Sequence, residues 1–280
     1  EDELAETGQV SEGSYERIGA RLQAIAEIVG QLRGERGEGA LEVTVDDLAA
    51  VVEDVRSGEE PDAIVARVES LRDERVIRPL ARLGRYAQSL GERLGKGAID
   101  LVVDAPGHLR LGARFAPLWS ALVHVVRNAV DHGVDSPDER ITRGKAGPPR
   151  LRLSASVEAG RLLVRVEDDG RGVDWTAVAA IAVRRGLPSD TREDLVRALL
   201  APDFTTRAEV TSTSGRGAGL AAVEEVVTQL GGSIAVDSAE GEGCAWTFDF
   251  PAPEGARDLS EPRSRRLKVE RAARRRRRSG

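Results

Sequence analysis

Leu118-Trp-Ser-Ala-Leu-Val-His-Val-Val-Arg-Asn-Ala-Val-Asp-His-Gly133 is the stretch whose reading decides the fold. Leu118, Leu122, Val125, Val126, Ala129 and Val130 recur at helical spacing, so the stretch reads as one amphipathic helix opened at Pro117. His124, Asn128 and His132 follow one another at intervals of four, which in an α-helix puts them on one stripe a turn apart. A solvated helix face would give the same spacing. Polar side chains beside an apolar face otherwise need partners, because a buried unpaired polar group costs about 1–3 kcal/mol. Two glycine-bearing blocks follow: Glu167-Asp-Asp-Gly-Arg-Gly172 and Ser214-Gly-Arg-Gly-Ala-Gly-Leu220. Each block alone is a weak signal, and the three in this order are a strong one.

Together they resemble the N box and the two glycine boxes of the GHKL (Bergerat) ATP-binding fold, shared by histidine kinases, type II topoisomerases, Hsp90 chaperones and MutL. The variant His-Val-Val-Arg-Asn-Ala-Val-Asp-His-Gly-Val-Asp over 124–135 resembles the chemotaxis histidine kinases of the CheA type in particular. Most GHKL proteins carry Glu where this chain has His124. Ala201-Pro-Asp-Phe-Thr-Thr206 resembles the segment before the second glycine box, and Gly241-Glu-Gly243 the last glycine turn. The resemblance covers roughly residues 78–252.

Composition sets bounds on the rest. With 280 residues there is room for one large or two modest domains, and with aromatics at only 3% the core must be built from aliphatic side chains. The single cysteine, Cys244, excludes a disulfide framework and suits a reducing cytoplasm. No apolar run approaches a membrane span and no signal peptide is visible. Methionine is absent even at position 1, so a piece of a longer protein is expected. Residues 253–280 hold 11 Lys and Arg against 4 Asp and Glu, whereas the remainder holds 30 against 43. An acidic body argues against a nucleic-acid binder. The run Arg274 to Arg278 reads as a disordered, solvated tail or linker, or as a site for an acidic partner or nucleic acid.

Along the chain, residues 1–12 read as a disordered N-terminus. Ile18, Leu22, Ile25, Val29 and Leu32 mark a helix from Ser14 to about Arg33. A second helix is expected over Asp46–Val55, capped by Thr44 or Asp46. A third starts at Pro61 and runs toward Pro79, where a kink or a fresh start is expected. Residues 13–95 thus read as an all-α, dimerisation-like region, expected to pack against another copy as a helical bundle or against a separate partner. Histidine is absent from residues 1–107, so this region cannot hold a phosphoacceptor histidine. Residues 96–252 then read as an α+β two-layer sandwich, with strands at 99–104, 151–157, 162–167, 233–237 and 244–250 and helices over 117–133, 175–185, 192–200 and 220–230. Residues 253–280 form the basic tail.

The resemblance implies ATP and Mg²⁺ as cofactors and assigns roles to residues. Asn128 offers a neutral carbonyl oxygen to Mg²⁺. Asp168 accepts a hydrogen bond from the adenine amino group, and Gly170 and Gly172 let the backbone pass close to the base. Ser214, Gly215, Arg216, Gly217, Gly219 and Leu220 bring bare amides to the phosphates at a helix N-terminus. Phe204 belongs to a mobile lid, as a nucleotide contact or as the loop's apolar anchor. His132, with Asp131, contacts the nucleotide or orients its neighbours, and Asp169 is a turn residue or a contact. His124 takes the catalytic position, where an imidazole can accept a proton or stabilise the transferred group. The implied activity is transfer of the γ-phosphoryl group to a histidine on a separate phosphotransfer domain, and through it to a response regulator. The alternatives are an ATPase of the topoisomerase or Hsp90 kind and a non-catalytic nucleotide-binding scaffold. His124 in place of a carboxylate weighs against the ATPase.

Overall fold

The structure is a computed structural model that describes residues 43–202, 204 and 218–253. The readings made for residues 1–12, for the helix over 14–33 and for the basic run at 274–278 lie outside the described residues. The chain divides into two compact units: residues 43–75 with Gly107–Ala113, and Val76–Pro106 with the residues from Arg114 onward.

In the first unit, helix α1 (Val45–Arg56) starts at a capping box. The Thr44 hydroxyl accepts from the Asp47 amide at 3.2 Å, and the Asp47 carboxylate accepts from the Thr44 amide at 2.8 Å. Thr44, rather than Asp46, is therefore the cap. Helix α2 (Pro61–Ser70) uses Pro61 in its first turn. The expected continuation of α2 toward Pro79 does not occur: the chain leaves the helix at Leu71 and forms β1 (Glu74–Arg75), paired antiparallel with β3 (Arg110–Leu111). Arg110 explains the break, because its guanidinium donates to the carbonyls of Leu71 at 3.0 Å and Asp73 at 2.9 Å. Those carbonyls need no further helical turn to be satisfied. Arg110 also grips Asp47 through both carboxylate oxygens, at 3.2 and 2.7 Å. Burial raises the Asp47 pKa, but the Arg110 and Thr44 hydrogen bonds outweigh it and hold the carboxyl below the usual range. Arg67 and Asp54 form a second buried pair.

The second unit opens with helix α3 (Ile77–Arg93). Pro79 falls in its first turn, where a missing amide costs nothing, so the chain makes a fresh start there. Strand β2 (Asp100–Asp104), helix α4 (Ala116–Asn128), the short helix α5 (Pro137–Thr142), strands β4 (Arg150–Glu158) and β5 (Arg161–Asp168), helices α6 (Trp175–Arg184), α7 (Arg192–Leu200) and α8 (Ala218–Gln229), and strands β6 (Ser233–Ala239) and β7 (Gly243–Pro251) follow. The five-stranded sheet has the order β2-β4-β5-β7-β6; β2 and β4 run parallel and every other pair is antiparallel. Ala159 (φ 49°) and Gly160 (φ 78°) make the tight turn joining β4 to β5. Alternation then sorts each strand into two faces. Leu162, Val164 and Val166 of β5 and Trp246, Phe248 and Phe250 of β7 all point into the core. Helices α3, α4 and α8 cover that face with Leu80, Leu83, Leu118, Leu122, Val125 and Val223. Each such side chain contributes roughly 1.5–3 kcal/mol on burial. The unit is a two-layer α+β sandwich.

Candidate nucleotide-binding site

Asp168 is the fourth inward-facing position of β5, after Leu162, Val164 and Val166. The strand's period of two therefore drives a carboxyl into a row of aliphatic side chains. Its register partners are Leu151 on β4 and Cys244 on β7, and neither can pair with a charge. Only 9% of Asp168 is exposed, and the Gly170 amide donates to its Oδ1 at 3.0 Å. Burial pushes the carboxyl up to about 7; the Gly170 amide and Lys145 oppose this, and Asp169 and Asp135 add to it. Burial together with Asp168 drives the neighbouring Cys244 thiol up to about 12, so that thiol is inert at neutral pH.

The glycine turn after β5 closes on the end of the α4 stretch. A methyl group on Gly170 would sit 1.8 Å from the Gly133 carbonyl oxygen, and one on Gly133 would sit 2.7 Å from Asp168 Oδ1. Only bare backbone fits at this crossing. The Arg171 amide donates to the same Gly133 carbonyl at 3.0 Å. Gly172 lies against the Ala239 carbonyl at the end of β6.

Helix α4 ends at Asn128 and passes into a π-turn, Ala129–Gly133, closed by the Val134 amide on the Ala129 carbonyl at 2.7 Å. This corrects the expectation of one uninterrupted α-helix through Gly133: His124 and Asn128 remain one α-turn apart in α4, and His132 lies in the π-turn. The π-turn was invisible in the sequence because every residue in it also suits an α-helix. His132 Nε2 lies 3.7 Å from the Asp131 carboxylate, and Asn128 is half-buried. His124 is exposed, with its ring against the first turn of α8: a methyl group on Gly219 would sit 2.8 Å from its Nδ1. The structure thus joins the last glycine of the second block to the histidine of the first, and the first glycine block to Gly133. Leu220 follows in the same turn of α8, while Ser214, Gly215, Arg216 and Gly217 lie outside the described residues.

Two predicted residues are committed elsewhere. Phe204 is buried with Val178, Ile181, Ala182 and Ala198 between α6 and α7, with the Arg185 guanidinium 5.7 Å from its ring. It occupies the position of an apolar anchor at the start of 205–217. Asp169 receives Arg140 on both oxygens, at 3.2 and 3.1 Å, and the Arg150 amide at 2.8 Å. Sequence reasoning gave no role to the groups that hold this turn: Asp135, which closes the motif over 124–135, and Arg140 and Lys145, whose one sequence signal is the dense alternation of charge over 135–145. Cavities among the described residues of the second unit include one of about 420 Å³, lined by Arg140, Lys145 and Asp169 on the outer side of the glycine turn. Another, of about 340 Å³, lies between α7, α8 and β6. Neither is lined by His124, Asn128 or Asp168.

Residues 119–254 match the histidine kinase-, DNA gyrase B- and HSP90-like ATPase family. The chemotaxis protein CheA of Halobacterium salinarum is 40% identical over 162 residues, covering 55% of this chain and 24% of that protein. A gliding motility regulatory protein of Myxococcus xanthus is 34% identical over 173 residues, covering 60% of this chain and 22% of that protein. The chain therefore spans about a quarter of the length of these relatives. Among solved structures, a histidine kinase domain from the blue-light activated kinase of Erythrobacter litoralis aligns with 86% of this chain and 96% of its own length, at 21% identity and a TM-score of 0.39. Over residues 119–254 this chain thus matches the histidine kinase-, DNA gyrase B- and HSP90-like ATPase family, and it is similar in sequence to part of the CheA chemotaxis proteins.

Proposed function

We propose that residues 96–252 bind Mg-ATP and act as the catalytic core of a CheA-like histidine kinase, passing the γ-phosphoryl group to a histidine on a separate phosphotransfer domain. The observation that carries this reading is the meeting of His124 with Gly219, which joins the N box to the opening of α8. The residues present suit the nucleotide. A nearly buried acceptor, Asp168, stands where the backbone is stripped of side chains at Gly133 and Gly170. When bound, Mg-ATP supplies the transferable phosphoryl group, and the cation offsets charge that develops on the phosphate oxygens.

The chain's own residues then divide the work. Asp168 accepts from the adenine amino group and fixes the base. Asn128 offers a carboxamide oxygen to the cation, with Asp131 and His132 beside it. Gly219 and Leu220 present the first turn of α8 to the phosphates, joined by Ser214, Gly215, Arg216 and Gly217. His124 takes the proton from the acceptor imidazole as its nitrogen bonds to phosphorus and ADP departs. The acceptor is assigned to a separate phosphotransfer domain, on another chain or in a further part of a longer one, because the three histidines of these 280 residues are His108, His124 and His132. A response regulator is the onward recipient. The helical region is assigned to dimerisation: Val45, Leu48, Val52 and Val55 of α1 follow at three- and four-residue spacing and are 82%, 56%, 45% and 39% exposed. Among the described residues no helix is long and apolar enough to cross a membrane. The free Cys244 is in keeping with a cytoplasmic setting.

The test is incubation with γ-labelled ATP and candidate phosphotransfer domains. Label is expected on the acceptor histidine, and release of free phosphate alone would make the protein an ATPase. Replacing His124 by Ala should lower transfer by about a hundredfold or more while changing nucleotide affinity far less. Equal losses in both would make His124 a binding residue.

A further inference from the structure

Lys145 lies outside the set of residues assigned to the nucleotide, yet two of the three hydrogen bonds of its ammonium group go to the glycine turn. It donates to the Asp169 carbonyl at 2.6 Å, to the Gly170 carbonyl at 2.5 Å and to Asp135 Oδ2 at 3.0 Å. An ammonium group has three N–H donors, so all three are used. Asp135 is fully buried, with the Arg143 and Arg171 guanidinium groups 3.6 and 3.8 Å from its other oxygen, Oδ1, close enough for charge attraction but beyond hydrogen-bond distance.

The geometry of one peptide unit links this lysine to Asp168. The Asp169 carbonyl and the Gly170 amide belong to the same planar trans peptide, so they point in opposite directions and turn together. Lys145 holds the carbonyl end, and the amide end donates to Asp168 Oδ1 at 3.0 Å. We propose that Lys145 is a positioning residue: by clamping the 169–170 peptide it aims the Gly170 amide at Asp168 and so fixes the direction in which the other carboxylate oxygen is offered to a ligand. This rests on the reading of Asp168 as the contact for a nucleotide base.

Loss of the lysine should also change how Asp168 titrates. The groups that act on that carboxyl are the Gly170 amide and Asp169 on its own turn and Lys145 and Asp135 from the segment flanking α5, with Cys244 its register partner on β7. Of these, Lys145 is the cation that lowers the Asp168 pKa, against Asp169 and Asp135, which raise it. The experiment titrates trinitrophenyl-ATP fluorescence with the whole chain between pH 5.5 and 9, for the wild type, Lys145→Met and Lys145→Arg. The Met variant should bind roughly tenfold to a hundredfold more weakly at pH 7.5. The pH below which half of its binding is lost should rise by at least about half a unit, and Arg should restore that midpoint. An equal fractional loss at every pH with an unmoved midpoint would reduce Lys145 to a structural role and overturn the proposal. If Lys145→Met does not fold, as judged by circular dichroism, Lys145→Gln keeps two donors without the charge and must show the same upward shift. Failure of the wild type to bind the probe at any pH would bring down the nucleotide reading of Asp168, and this inference with it.

Discussion

Two buried carboxyl groups, one in each unit, show what a charge is for. Asp47 is 2% exposed and Asp168 is 9% exposed. Asp47 meets a guanidinium on both oxygens and a capping amide, and its pKa falls. Asp168 meets one backbone amide at the end of an apolar row, and its pKa climbs to about 7. The first is a finished structural pair. The second carries an uncompensated cost of burial, which is the mark of a group kept for a ligand. The two also respond to acid in opposite senses. Asp47, with a lowered folded pKa, contributes stability above its unfolded pKa and loses it as pH falls. Asp168, with a raised folded pKa, binds its proton more tightly in the native state, so its contribution declines as pH rises from about 4 to about 7.

The comparison can be broken most forcefully at Arg110. Arg110→Met would leave Asp47 buried and alone, and should cost about 3–5 kcal/mol. Hydrogen exchange over residues 45–73 should show the first unit opening; unchanged protection would mean the pair is not structural. Asp168→Asn tests the other side. It keeps an oxygen for the Gly170 amide and removes the charge, so above pH 7 the variant should be more stable than the wild type, by up to about 4 kcal/mol for a shift of some three pH units. Near pH 4 the two should melt alike, and nucleotide affinity should fall about tenfold or more. A melting curve with the same pH dependence in both proteins would show that Asp168 is not the costly group. The smallest effect is expected at Gly219→Ala. The added methyl must displace the His124 ring, so phosphotransfer should drop about tenfold while stability changes by less than about 1 kcal/mol. Unaltered transfer would sever His124 from the second glycine block.

Much of this was legible because the relevant signals are local. The alternation of Leu162, Val164 and Val166 gives β5, and carrying it one step further gives the burial of Asp168. Gly170 announces a close approach, although its partner, Gly133, comes from another block. What escaped the sequence depends on contacts distant along the chain. The end of α2 is set by Arg110, 39 residues from the carbonyl it satisfies at Leu71. Lys145 reaches the glycine turn across 24 and 25 residues. Helix propensity alone cannot report that a remote cation has taken over a carbonyl. The π-turn escaped for another reason: it differs from an α-turn by one skipped hydrogen bond, and no residue type marks the skip.

That extra residue in the π-turn fixes the length of this part of the chain. Shortening Ala129–Gly133 by one would restore regular helix, and the carbonyl now shared by the approach of Gly170 and the amide of Arg171 would swing out of reach. Substitutions inside the loop can be absorbed one side chain at a time, whereas an insertion or deletion there shifts the phase of everything that follows. Anyone transplanting the helix into another scaffold must therefore carry the irregularity with it.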